Sequence, residues 1–189
     1  MATVTVAERK TAEEFLAGAE CERGRPSNLI EGEVVMTEPT AFHACVQAAL
    51  HRAVEDWTVA APERGRAILP ISVGIDDANV FAPDVAWYRE GRLDLYSLAP
   101  YPMPNLAIEV RSPSTWRYDI GAKKAGYERG GLPELWLVDT TAETILAFRR
   151  STPGQERFDV ALELSGDEQL CSPLLPGFEL PVGDAFRVR

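Results

Sequence analysis

The chain has 189 residues, 46% of them hydrophobic and 25% charged, with a formal net charge of −10. That is ordinary globular composition and one domain's length, enough to bury a sizeable core. No run of about 18 apolar residues exists to make a membrane helix, and Cys21, Cys45 and Cys171 have neither zinc nor disulfide spacing. The acidity argues against tight nonspecific DNA binding by the metal-free protein, because phosphate favours basic surfaces.

The start, MATVTVAERK, has no apolar signal core, so a cytoplasmic protein is expected. Thr11 opens a Thr-Ala-Glu-Glu capping box, which predicts a short helix over residues 12–19. A polar turn is expected at 24–28. Residues 29–37, LIEGEVVMT, alternate and read as one strand, with Ile30, Val34 and Met36 on one face and Glu31, Glu33 and Val35 on the other. From His43 to Trp57 the apolar residues follow a helical period, with Thr40 as the N-cap. Residues 67–75 and 80–88 read as two strands of a hairpin turned at Asp76–Asn79. Residues 90–104 are irregular and proline-rich, a candidate loop over the site. Residues 106–110 form a strand, Ser112–Thr115 breaks it, and a helix is expected over 118–129, ended by Gly130-Gly131. Strands follow at 134–139, 144–149 and 158–164. The proline-rich tail is expected to pack irregularly. Without repeat or linker, residues 1–189 read as one domain: an N-terminal helical extension over about 1–28, then a core and tail over 29–189.

Two acids stand out. Asp84 lies within one apolar strand-like run and Glu109 within the next. A charge in a buried strand costs free energy unless it is paired or holds a metal. Two carboxylates on neighbouring strands, followed by a lysine-bearing helix, point to magnesium-dependent phosphodiester hydrolysis. The bland alternative is that both acids sit at strand ends and touch water or an arginine. The chain has 19 basic residues and its lysines are Lys10, Lys123 and Lys124 alone. Asp119, Lys123 and Tyr127, spaced i, i+4, i+8, roughly share a helix face. Read blandly, Lys123 and Asp119 are an exposed pair and Tyr127 a packing residue. His43 lies near a helix N-terminus, where the macrodipole disfavours the protonated ring; there a neutral imidazole accepts a proton, binds metal, or caps and packs.

PDVAWYR, LAIEVRSPST and RYDIGAKKAGYERGGLPELWLVD, in this order, resemble the Uma family of restriction-endonuclease-like proteins in the PD-(D/E)XK nuclease superfamily. LIEGEVVMTEPTAFH upstream and SPLLPGFELPV downstream are similar to it too, so the resemblance runs from about residue 29 to the C-terminus. It implies an α/β restriction-endonuclease-like core, a central mixed sheet flanked by helices. It implies a metal-dependent DNA endonuclease with Mg2+ (or Mn2+) as cofactor, DNA as substrate and a homodimer as the assembly. Asp84 matches the PD aspartate and Glu109 the acid of the next strand, both as metal ligands. The superfamily's acid-X-lysine reads Glu109-Val110-Arg111 here, and arginine cannot act as a base. The family's lysine lies on the following helix, at Lys123. Supporting roles fall to Glu33, His43, Arg111 and Tyr127. For Glu33 the alternatives are a pocket acid or a solvated face shared with Glu31. A catalytically inactive module of the same fold, binding DNA or protein, is the alternative to an enzyme. A structural protein with incidental acids is a third reading.

Overall fold

The computed structural model describes residues 9–18 and 27–187. Helix α1 (Ala12–Ala17) begins at the predicted capping box: Thr11 accepts from Glu14 N–H, and the Glu14 carboxylate accepts from Thr11 N–H. Strands β1 (Ser27–Ile30) and β2 (Glu33–Met36) form an antiparallel hairpin, not the single strand its alternation predicted. The turn residues Glu31 and Gly32 have φ 51° and 82°. Two consecutive left-handed residues are what a tight two-residue hairpin loop requires. Phe15 of α1 packs on Leu29 of β1 and on Val80. The predicted turn at 24–28 falls mostly outside the described residues; Ser27 and Asn28 are already strand.

Helix α2 (Ala41–Val59) has Thr40 as its N-cap, accepting from His43 N–H. It buries His43, Val46, Leu50, Val54 and Thr58, a stripe of helical period. The next two expected strands are each broken in two. The first becomes β3 (Arg66–Ile68) and β4 (Val73–Asp76), the second β5 (Asn79–Phe81) and β6 (Val85–Tyr88). β4 pairs with β5, and β3 with β6, so the predicted hairpin exists but its arms pass from one sheet to another. Pro70 and Pro83 lie in the two breaks, where a residue without N–H cannot continue a ladder.

A six-stranded mixed sheet runs β10-β9-β8-β7-β6-β3, and a four-stranded one β2-β1-β5-β4. In the larger sheet β7 (Leu106–Val110) and β8 (Glu134–Asp139) are parallel. β9 (Thr144–Arg149) and β10 (Val160–Ser165) continue antiparallel. One face is covered by α2, the hairpin β11 (Gln169–Ser172)/β12 (Leu175–Pro181), and α5 (Val182–Phe186). The tail expected to be irregular is therefore a regular hairpin and helix, with Leu170, Leu175, Phe178 and Phe186 buried. The other face carries α3 (Trp116–Tyr118), a π-turn (Asp119–Lys123) and α4 (Lys124–Arg129), with Tyr127, Leu132 and Phe81 in its core. Residues 90–104 do join β6 to β7 without a regular element. They leave from the end of β6 remote from Asp84, as the pairing Trp87↔Leu106 requires, so they do not cover the acids.

Candidate active site

Asp84 is not inside a strand. It occupies the gap between β5 and β6, next to Pro83. The backbone groups that this gap frees from the ladders are met by side chains: Ala82 N–H donates to Asn28 Oδ1 at 2.8 Å, and the Asp84 carbonyl accepts from Gln47 at 2.8 Å. The Asp84 carboxylate accepts from Val110 N–H at 2.7 Å, which fixes it against the residue that follows Glu109. Its other oxygen lies 3.2 Å from His43 Nε2. His43 is buried, and its Nδ1 lies 3.4 Å from the Arg111 carbonyl. Burial alone would lower the His43 pKa, but the hydrogen bond and charge of Asp84 outweigh it and the net shift is upward. The helix terminus, which favours the neutral ring, loses to the carboxylate.

Glu109 points to the opposite face from Ile108 and Val110 and is buried. Its Oε1 accepts from the Tyr127 hydroxyl at 2.6 Å and lies 2.7 Å from Lys123 Nζ. The same ammonium lies 3.1 Å from Asp119 Oδ1. That approach pairs the charges, and apart from the ammonium the buried Asp119 Oδ1 has no donor among the described residues. Asp119 Oδ2 accepts from Thr115 Oγ1 at 3.1 Å, and Thr115 is 2.8 Å from Ser112 Oγ. The pair read blandly from sequence as exposed is thus buried.

Two local features bring the helix down onto Glu109. In a plain α-helix, positions eight apart drift about 80° from two full turns; the wider π-turn over Asp119–Lys123 takes up that drift, keeping Asp119, Lys123 and Tyr127 on one face. Gly126 lets α4 approach Phe81, since a Cβ there would lie 2.6 Å from the ring. The Phe81 and Tyr127 rings meet edge-on at 5.1 Å.

Burial pushes Glu109 up to about 8, with Asp119 and Asp84 adding to it and Lys123 opposing. Burial likewise raises Asp119. For Lys123 burial acts downward, but the flanking carboxylates outweigh it and the ammonium is held charged. Burial, then Glu109, raises the Tyr127 hydroxyl well above its ordinary value. Two acids, Glu109 and Asp119, therefore share one lysine, with Asp84 nearby against His43, and the cluster favours additional positive charge.

The remaining predicted residues lie elsewhere. Arg111 donates to both carboxylate oxygens of Asp139 at 2.8 Å and lies over Trp116, so its charge is committed to the end of β8. Glu33 is exposed at the start of β2, and no hydrogen bond or ion pair joins it to the acids among the described residues. Sequence reasoning missed Asp119 as a buried member of the cluster and missed Gln47 and Thr115 as its supports. The i, i+4, i+8 spacing was the available signal for Asp119.

No three His, Cys, Asp or Glu side chains among the described residues are grouped to hold a metal. A metal here would rest on Asp84 and Glu109 with water completing its shell. That suits magnesium, which takes one or two carboxylates and keeps several waters. The hard oxygen donors of the two carboxylates fit such an ion. No helix among the described residues is long and apolar enough to cross a membrane.

The backbone is similar to a solved structure from Anabaena variabilis described as "a putative nuclease belonging to DUF820". The TM-score is 0.69 at 20% identity, covering 85% of this chain and 89% of that one. At that identity the likeness establishes the fold. No curated protein matches the chain. A family model described as "Putative restriction endonuclease" matches residues 12–183. That match runs from α1 into α5 and takes in every acid of the site, so the chain belongs to the Uma2 family of restriction-endonuclease-like proteins.

Proposed function

We propose that this chain is a metal-dependent DNA endonuclease, with Asp84 and Glu109 holding Mg2+ or Mn2+. The observation that carries the reading is the convergence of Asp84, Glu109 and Lys123 at one end of β6 and β7, with more acid than base. A bound divalent ion supplies an acidified water and neutralises charge on the scissile phosphate. Lys123 adds a second positive charge beside that phosphate. Tyr127 holds the Glu109 carboxylate in place, and His43 with Val110 N–H does the same for Asp84. We further propose a two-fold homodimer, because cutting both strands of a duplex calls for two sites, and a cytoplasmic location.

The second reading is a catalytically inactive module of the same fold that binds DNA or protein. It is favoured by the net charge of −10 and by the burial of Glu109 and Lys123. Cleavage of supercoiled plasmid with Mg2+ or Mn2+ separates the two. Nicking by the wild type that falls at least about 100-fold in Asp84→Asn and in Glu109→Gln supports the enzyme. DNA retarded on a gel but never cut with either metal supports the module.

A further inference from the structure

We infer that Lys123 is a resident counter-cation: a divalent ion at Asp84 and Glu109 displaces its ammonium from Glu109 onto Asp119. This rests on the metal reading above and adds to it a competitor and a receiver. The competition follows from crowding. Glu109 Oε1 already faces two donors, the Tyr127 hydroxyl at 2.6 Å and the Lys123 ammonium at 2.7 Å. A divalent ion on the same carboxylate would stand beside that ammonium in a buried site, where like charges repel strongly. The phenol, being neutral, can stay.

Asp119 is built to receive the lysine. Its Oδ1 is buried, 3.1 Å from Nζ, and has no other donor among the described residues. Its Oδ2 is held by Thr115, which is bonded in turn to Ser112 just past β7. The carboxylate is therefore fixed, and the lysine, on its flexible four-carbon stem, is the partner that moves. A small movement of Nζ away from Glu109 tightens the existing 3.1 Å contact with Asp119 and needs no backbone change. Without metal, the ammonium neutralises acids that would otherwise be buried against one another. With metal, it stays within the site as a second positive charge. Asp119 is thus a positioning residue acting through Lys123.

The test is Mn2+ affinity of the full chain by calorimetry, which needs no cleavage. Lys123→Met removes the competitor and is expected to bind Mn2+ at least about tenfold tighter than wild type, since an opposite charge this close shifts ionic equilibria by that factor or more. Asp119→Asn keeps the Thr115 bond but removes the receiver, and is expected to bind more weakly. Combined with Lys123→Met, the Asp119→Asn penalty should largely vanish, because Asp119 acts through the lysine. Should Lys123→Met fail to fold, Lys123→Gln, which keeps a donor for Glu109 and drops the charge, carries the same expectation. Unchanged or weaker Mn2+ binding without the lysine overturns the competition. An equal Asp119→Asn penalty in both backgrounds overturns Asp119 as receiver. If Glu109→Gln abolishes binding while the lysine variants leave it unchanged, the metal reading stands and this inference falls. Absence of Mn2+ binding in both wild type and Lys123→Met overturns both.

Discussion

Glu109 and Glu134 are buried glutamates on the neighbouring parallel strands β7 and β8, and their surroundings differ in kind. Glu134 Oε1 accepts from Trp136 Nε1 at 2.6 Å and from Arg149 Nε at 2.9 Å; its Oε2 accepts from Ser172 at 2.7 Å. One acid meets one base, and both oxygens have donors. Arg149 also donates to the Cys171 carbonyl, so the group ties the β11/β12 hairpin to the sheet. Glu109 shares one lysine with Asp119, next to Asp84, and an oxygen of Asp119 has no other donor among the described residues. A buried acid with a closed shell of donors is a rivet. One with surplus negative charge is, on the function proposed above, a receptor for cations.

The sharpest way to break this contrast is to substitute each acid in the metal-free protein. Glu134→Ala leaves Arg149 without its buried partner and should cost about 3–5 kcal/mol in urea denaturation. Glu109→Gln keeps the shape and removes surplus charge, so its stability at pH 8 should equal or exceed wild type. Similar losses at both positions would erase the distinction. Next in size is Tyr127→Phe, which leaves a buried carboxyl oxygen without its phenol donor and should cost about 1–3 kcal/mol.

The pH dependence should separate the acids as well. Glu109 is raised from 4.5 to about 8 in the folded state. The folded protein then binds that proton more tightly than the unfolded chain does. Its contribution is fully present below about pH 4.5 and is lost as pH rises through about 8. Wild type should therefore lose stability relative to Glu109→Gln between these values, measured by paired denaturation curves. A flat difference would mean that Glu109 is not raised. The smallest effect is expected at Lys124. It pairs with Glu128 at 3.5 Å and lies over Phe148 and Phe158, away from the acids of the site. Lys124→Ala should cost about 0.5 kcal/mol, with plasmid cleavage unchanged.

The contrast also explains what could be read from the chain. Asp84, Glu109 and Lys123 stand out in the chain because the two acids lie in apolar runs and lysine is rare here, and the structure brings the three to one end of the sheet. Glu134 does not stand out, because an acid at a strand start looks solvated until the hairpin that covers it is known. That hairpin was read as irregular, since Pro173, Pro176 and Pro181 mask its pairing. LIEGEVVMT reads as one strand because the alternation of Ile30, Val34 and Met36 against Glu31 and Glu33 carries through a two-residue turn. The strand breaks at Pro70 and Pro83 had a local signal, a proline inside each run, outweighed by the hydrophobic pattern.

That second break has a consequence for assembly. Asp84 lies where the chain leaves the four-stranded sheet, at β5, to enter the six-stranded one, at β6. Neither sheet alone can hold it, because Asn28 of the smaller sheet fixes the backbone before it and Val110 of the larger one fixes its carboxylate. The placement of Asp84 is thus a coincidence detector, complete only when both sheets have folded and docked. In hydrogen exchange the amides of Ala82 and Val110 should open together, at the free energy of separating the sheets, and a partly folded chain would carry no harmful half-site.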